Sequence, residues 1–509
     1  MLIGYGSIAL FFLVVIAVLE KTRRADAGFA DYAVAGRSFG SWFQTMSFLN
    51  TWLPGAVFIS FAGLTAEAGV IGFYWLPYSL LAVVLMFFMA QRVHDWGRQW
   101  DLSTQADLLG LRYGSTAVRV VAAVIGAVSS FPWVVLGMQS LGLVFSYLSF
   151  GRVSPDVAIL ISIGVLAVRQ IWTVRMGMRG VVISDMVQSI VAYVLGLCII
   201  VGLLVWLVTN GHGLNQVPDS HFTIPGPDSA VGPLYLMSLV LTGTMGGWCW
   251  PDIFVRLFTA RSTAVIKKSA VQAAPILFVF ATALTLMAIL AASLPSIADA
   301  PGSVWFITAG IGGTVLVALA GLVVLAATMG NVDANLQATG IQLTHDVLPR
   351  RTRTADGRET HAAKLTVLAL TAVAAITATA TIKTSSGLAS LAILSYQGIC
   401  QLAPTLLLGI FWRRGNAVGA VGGMVSGIVT SAVLQLAYPT SVPWLGGLTS
   451  GVAGLIVNTA VYVAAAVFIR STAEEDARVA SLFTGLHGAS AEPPTAASFA
   501  GRPADGLPH

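Results

Sequence analysis

The sequence predicts an all-helical polytopic membrane protein of about thirteen transmembrane helices, with a core of two inverted five-helix halves that each begin with a broken helix. Three observations carry this expectation: a composition too apolar for water, long apolar runs whose flanking basic residues sort to one side, and two interrupted runs five spans apart. Of 509 residues, 56% are hydrophobic and 10% charged, against roughly 25% charged in ordinary soluble domains. So few charges do not coat soluble domains of this length, which excludes a water-soluble globular enzyme. The net charge of +5 comes without a basic stretch interleaved with stacking aromatics, so nucleic acid is not an expected partner. The lipid bilayer is. Cys198, Cys249 and Cys400 sit in apolar runs with neither a CxxC spacing nor a His partner, so neither a disulfide framework nor a zinc site is indicated.

A hydrocarbon core of ~30 Å takes about 20 apolar residues per helix. Such runs fall near 3–20, 43–64, 71–92, 117–149, 155–173, 183–208, 232–257, 271–294, 311–343, 363–382, 388–412, 417–438 and 447–469. They are long and rich in Leu, Ala and Val, whereas a barrel would show short alternating segments. With this count, 25 of the 27 Lys and Arg lie on one side and only Arg152 and Lys383 on the other. The positive-inside rule then places the N-terminus outside and the C-terminus in the cytoplasm. The first run has no basic n-region and no A-x-A-like site, and reads as an uncleaved anchor. Residues 1–470 form one transmembrane domain: an extra helix at 3–20, halves at 43–208 and 232–412, and two extra helices at 417–469. The remainder, 471–509, is rich in Pro, Ala, Ser and Gly and reads as a disordered cytoplasmic tail.

Two runs are interrupted near their middles. The second reads Ser47-Phe48-Leu49-Asn50-Thr51-Trp52-Leu53-Pro54-Gly55, and the seventh Gly243-Thr244-Met245-Gly246-Gly247-Trp248-Cys249-Trp250-Pro251-Asp252. Proline removes a backbone donor and clashes with the preceding turn, so each site unwinds and frees backbone groups at membrane depth. Such backbone is tolerated only around a cavity or inside protein. The breaks lie five spans apart, and this odd number starts the second half on the opposite face. Matched breaks in two inverted halves point to a solute site at the bilayer midplane and to a secondary transporter.

Five stretches resemble a known family, the sodium/solute symporters, which include proline, pantothenate, sugar and monocarboxylate carriers. They are Asp31-Tyr32-Ala33-Val34-Ala35-Gly36-Arg37-Ser38; Thr173 to Gln188, with Asp185 at the family aspartate and Met176 and Gly180 as departures; Pro251-Asp252-Ile253-Phe254-Val255-Arg256 followed by Ala260-Arg261-Ser262; Ala326-Ala327-Thr328-Met329-Gly330-Asn331-Val332-Asp333; and Gln401-Leu402-Ala403-Pro404 with Gly409-Ile410-Phe411-Trp412. The resemblance runs over spans 2 to 11 in order and implies a LeuT-like fold. It also implies a Na+ site made by carbonyls at the first break and by a carbonyl and two hydroxyls on the eighth core helix. Carried over, these positions are Asn50, Leu53, Ala327, Gly330 and Asn331, and neither of the last two bears a hydroxyl. Sodium prefers oxygen ligands, by analogy with other hard cations, so Na+ is the favoured coupling ion while H+ coupling and uncoupled transport stay open. Ala327, Gly330, Asn331 and Ala334 share one small-residue face that allows close approach of span 2. Asp333 lies about 160° away from Asn331 on the helical wheel.

Ionisable residues inside spans are functional candidates. Asp185, Asp333 and Arg256 are therefore expected to couple or brace the site, with a plain cap for Asp185 and a membrane-edge anchor for Arg256 as the bland alternatives. Solute contacts are expected from Trp52, Phe131, Trp133, Gln139, Trp248, Trp250, Tyr396, Gln397 and Gln401, giving apolar walls with a few amides. With no Lys near these positions and no buried basic cluster expected, a small monocarboxylate fits, its charge met at a half-helix N-terminus. The seven His scatter over loops, span edges and tail, and no HExxH or G-x-S-x-G motif meets an acid/base partner, so membrane-embedded catalysis is not indicated and no cofactor is expected beyond a coupling Na+. A transporter-derived sensor remains an alternative.

Overall fold

A computed structural model describes residues 2–23, 28–348, 358–381 and 388–484. In chain order the principal helices are α1 (Leu2–Thr22), α2 (Ser41–Trp52), α3 (Ala62–Ala68), α4 (Trp75–Gln99), α5 (Gln105–Tyr113), α6 (Thr116–Leu148), α7 (Pro155–Met176), α8 (Met178–Ser189), α9 (Gly196–Thr209), α10 (Tyr235–Gly246) and α11 (Pro251–Thr259). Then follow α12 (Thr263–Ala291), α13 (Gly313–Gln342), α14 (Arg358–Thr381), α15 (Leu388–Ile399), α16 (Ala417–Ala437), α17 (Ser450–Phe468) and α18 (Ala473–Thr484). Among the described residues there is no strand beyond two isolated bridges.

Eleven segments are long and apolar enough to cross a membrane. The difference from thirteen comes from the two broken spans. α2 stops at Trp52, and the rest of its span runs on with α4 as one 43-residue segment, Val57–Gln99; the seventh span is the short apolar helix Tyr235–Gly246 followed by α11. The breaks lie where proline puts them. Leu53 leaves helical geometry (φ −110°, ψ 73°), and the helix re-forms only when the Val57 N–H reaches the Pro54 carbonyl at 2.9 Å. At the second break Trp250 is extended (φ −69°, ψ 127°), the conformation favoured before proline, and Pro251 opens α11 where no N–H is needed.

α13 is the centre of the bundle, against α1, α6, α8, α11 and α14. Every residue from Val323 to Gln342 is buried, including Asn331, Asp333, Asn335 and Gln337. A helix enclosed on all sides is normally apolar all round, so each of these polar groups calls for a partner or a cavity. Gly55 makes the close approach at the first break possible. A Cβ there would run into the Val324 carbonyl and the Thr328 hydroxyl on α13.

The expected disordered tail is corrected over its first part. Residues 473–484 form α18, because Thr472 and Glu475 make a reciprocal capping box (Glu475 N to Thr472 Oγ1 3.2 Å, Thr472 N to Glu475 Oε2 3.0 Å) and Glu474, Glu475 and Asp476 sit at the favourable end of the dipole. Its far end is anchored: Leu482 and Phe483 are buried, Trp96 Nε1 donates to the Leu482 carbonyl at 2.8 Å, and the Arg92 guanidinium lies 4.9 Å over the Phe483 ring. Residues 485–509 and Lys383 fall outside the described residues.

Gly55→Ala is expected to destabilise the purified protein by about 1–3 kcal/mol through overpacking against α13. Thermal unfolding in detergent measures it, and an unchanged midpoint would mean that the break does not rest on α13.

Candidate functional site

The two breaks meet. Between them lies a cavity of about 20 Å³, lined by Thr51 and Trp52 of α2, Trp133 of α6, Trp250, Asp252 and Ile253 at the start of α11, Asn331 and Asn335 of α13, and Tyr396 of α15. That volume holds a water molecule, not an organic solute. Three aromatics close one side: Trp250 and Tyr396 pack edge-to-face with centroids 5.3 Å apart, and Trp133 lies 6.0 Å from Trp250 and 5.9 Å from Tyr396. Trp52 closes another, its indole N–H tied to Ser79 Oγ at 2.8 Å. Tyr396 is held by a 3.1 Å hydroxyl contact with Tyr78.

Four of the nine residues expected to touch solute line this cavity: Trp52, Trp133, Trp250 and Tyr396. The other five do not. Trp248 is fully buried, donates to the Ala82 carbonyl at 2.7 Å and stacks on Phe48, which makes it a packing residue. Gln139 donates towards α14, to the Ala378 carbonyl and Thr381 Oγ1. Gln397 accepts from the Gly451 N–H at 2.7 Å and Gln401 donates to the Gly451 carbonyl at 2.9 Å, so both brace α17. Phe131 is half-buried and packs on the apolar core. Thr51, Asp252, Ile253 and Asn335 are the lining residues that sequence reasoning missed. The Pro-Asp pair at the second break signalled Asp252, and the position of Asn335 one helical turn after Asn331 signalled the other polar wall.

Beside the cavity the polar groups of both breaks are knotted together. Asp185 on α8 is fully buried and pairs with Arg256 of α11 at 3.1 Å, accepts from Ser47 Oγ at 2.6 Å and from Asn50 Nδ2 at 3.1 Å. Asn50 also donates to Gln188 Oε1 at 3.0 Å, and Arg256 reaches Thr51 Oγ1 at 2.8 Å. Thus Asp185 is no cap, Arg256 is no membrane-edge anchor, and buried arginines exist where none were expected. Arg169, inside the expected span 155–173, is also fully buried and pairs with Asp333, to which Gln170 donates at 3.0 Å. Asp333 therefore faces α7, away from Asn331, as the helical wheel requires.

Of the positions carried over for Na+, Asn50 packs against Gly330, and one carbonyl, that of Leu53, already accepts from a donor, as do the neighbouring carbonyls of Leu49 and Thr51. Tyr193 donates to the Leu49 carbonyl at 2.6 Å and to that of Leu53 at 3.3 Å, while Asn331 Nδ2 donates to the Thr51 carbonyl at 3.0 Å. At Gly330 a Cβ would collide with Asn50 Nδ2 and come to 2.9 Å from Asp185 Oδ1. The Asn50 amide thus occupies the space that a side chain at 330 would need, and Ala327 stands one turn before it on the same small face.

The profile of the sodium:solute symporter family matches residues 32–427, most of the chain. The chain belongs to that family. The symporter is 22% identical over 483 residues to an uncharacterized symporter, YhjB, of Bacillus subtilis (strain 168), covering 89% of this chain and 94% of that one. It is 20% identical over 462 residues to a monocarboxylic acid transporter of Corynebacterium glutamicum, covering 84% and 82%. Among solved structures it is similar to a substrate-bound, outward-open Na+-coupled sialic acid symporter, with a TM-score of 0.73, 16% identity, and 92% and 98% of the two chains covered. The symporter accordingly has the LeuT-like fold expected from its two breaks.

Gly330→Ser is expected to push Asn50 off Asp185 and to cost about 1–3 kcal/mol of stability. Unfolding in detergent of Gly330→Ser and of Gly330→Ser with Asn50→Ala separates the clash from any other effect: the second change should restore most of the loss, and no restoration would place the collision elsewhere.

Proposed function

We propose that this symporter imports a small organic solute, a monocarboxylate or a close chemical relative, coupled to a cation of which Na+ is the favoured candidate, with the inverted halves moving about the central cavity in alternating access. The observation that carries this reading is the convergence of both helix breaks on one aromatic-walled cavity at the middle of the bundle. The name of the Corynebacterium relative supports the solute class, and the family supports Na+. Asn50, Leu53, Ala327, Gly330 and Asn331 are the proposed ion positions, with Asp185, Arg256 and Asp333 bracing them. A second reading, H+ as the coupling ion, is favoured by one observation: the Tyr193 hydroxyl already donates to the Leu53 carbonyl at 3.3 Å, one of the proposed ion ligands, and position 330 has no side-chain oxygen. The one-sided distribution of Lys and Arg supports a plasma-membrane protein with its N-terminus outside and its C-terminus in the cytoplasm.

Uptake of labelled solutes into proteoliposomes under imposed Na+ or H+ gradients tests the proposal. Accumulation of a small carboxylate-bearing solute above equilibrium under an inward Na+ gradient is the expected outcome. Accumulation under a pH gradient alone would select the H+ reading, and binding without accumulation under either gradient would favour a sensor.

A further inference from the structure

A carboxylate in the first turn of α11 lines the cavity without a salt bridge among the described residues. Asp252 is 2% exposed, its Oδ1 is buried without a hydrogen-bond partner, and no ion pair reaches it among the described residues. The nearest cation on its own helix, Arg256 one turn along, is committed to Asp185 and Thr51. A carboxylate at membrane depth is costly unless paired. The helix that packs across the cavity offers no charge of the right sign either: Asp333 on α13 is itself acidic and turns to Arg169.

The walls around Asp252 suit one kind of partner. Trp52, Trp133, Trp250 and Tyr396 bring four electron-rich ring systems to the same small space, and ring faces attract ammonium and quaternary nitrogen, most strongly when water is excluded. An aliphatic carboxylate alone would meet those faces and Asp252 with the wrong sign of charge. On another wall the Asn335 Nδ2 is buried without a partner, while its Oδ1 is engaged by Thr339 Oγ1 at 3.3 Å, so the free group is a donor. A residue with an unpaired, negatively charged acceptor and one with an unpaired donor therefore line the same cavity, with aromatic rings beside them.

We propose that the solute of this site is a small zwitterion: a cationic nitrogen seated among Trp52, Trp133, Trp250 and Tyr396 against Asp252, and a carboxylate directed to Asn335. This rests on the reading of the cavity as the solute site of a symporter, and narrows its carboxylate to one that carries an ammonium or quaternary nitrogen. Seating the solute pairs the two orphaned groups at once and requires the walls to part, since the closed cavity is too small for it. The net charge of the filled site, Asp252 included, then stays at that of the empty one, because the zwitterion brings none.

Quenching of intrinsic tryptophan fluorescence in the detergent-solubilised full chain reads binding independently of transport. The probes are matched pairs on one carbon skeleton: propionate against alanine, acetate against glycine betaine, with choline as a cation lacking the carboxylate. Alanine or glycine betaine, or both, should quench; propionate and acetate should not; and choline should bind more weakly than glycine betaine. Asp252→Asn should weaken zwitterion binding by about 30-fold or more, as expected for removing one member of a desolvated charge pair. Trp133→Leu, which keeps bulk and removes the ring face, should weaken it several-fold and decides the matter should Asp252→Asn fail to fold. Quenching by the plain carboxylates alone, no quenching by any nitrogen-bearing probe, or an Asp252→Asn variant altered only in Na+ dependence would overturn the inference. Proteoliposome uptake separates the two levels: accumulation of propionate or acetate but not of the zwitterions leaves a symporter and removes the zwitterion, whereas zwitterion binding with no accumulation of any solute removes the transport reading and keeps the site.

Discussion

A guanidinium and a carboxylate, both removed from water, hold the two broken helices to each other. Arg256 comes from the second break and Asp185 from α8, and through Asp185 the pair gathers Ser47 and Asn50 from the first break, while Arg256 itself touches Thr51. In a bilayer neither group has solvent to fall back on, and a buried ion pair is tolerated only when its remaining valences are met. Ser47 and Asn50 donate to Asp185, and Arg256 donates to the Thr51 hydroxyl and the Met178 sulfur, which meets most of them. These hydrogen bonds also fix the rotation of α2, which is what presents Thr51 and Trp52 to the cavity opposite Trp250 and Asp252.

Around that knot the structure divides its polar groups into two sets. Arg169 with Asp333 and Gln170, and Gln397 and Gln401 against α17, tie helices together, although Arg169 Nε and Nη2 and Gln170 Oε1 keep no hydrogen-bond partner. Asp252 and Asn335 keep atoms unpaired and face the one space into which both breaks open. Other buried polar atoms in the chain also lack partners, but Asp252 and Asn335 are the ones whose residues line that space. The cavity is closed to anything larger than water in this arrangement, so entry of a solute requires some wall to move, as alternating access demands.

Much of the fold was legible in the chain. Apolar runs of membrane length correspond to helices, and Pro54 and Pro251 locate the unwound backbone because a missing N–H and a fixed φ act locally. The resemblance of Asp185 to a family aspartate singled out a side chain that the structure buries against Arg256, and the helical wheel turned Asp333 from Asn331 as the structure does. What was not legible depends on contacts between distant segments. Arg256 and Arg169 look like ordinary basic flanks until the fold shows them facing carboxylates on other helices. Gln139, Gln397 and Gln401 sit at membrane depth, but depth does not say which neighbour an amide meets. α18 carried a readable capping box at Thr472 and Glu475 that the surrounding low-complexity composition obscured, and its anchorage depends on Trp96, far away in sequence.

A double-mutant cycle on Asp185 and Arg256 tests most directly whether one buried pair organises both breaks. Reversible unfolding in mixed micelles of Asp185→Asn, Arg256→Met and the double variant gives the coupling. Each single change should cost about 3–5 kcal/mol, because it strands an uncompensated buried charge, and the double variant should cost clearly less than their sum. Additive losses, or single variants as stable as the parent chain, would contradict the account.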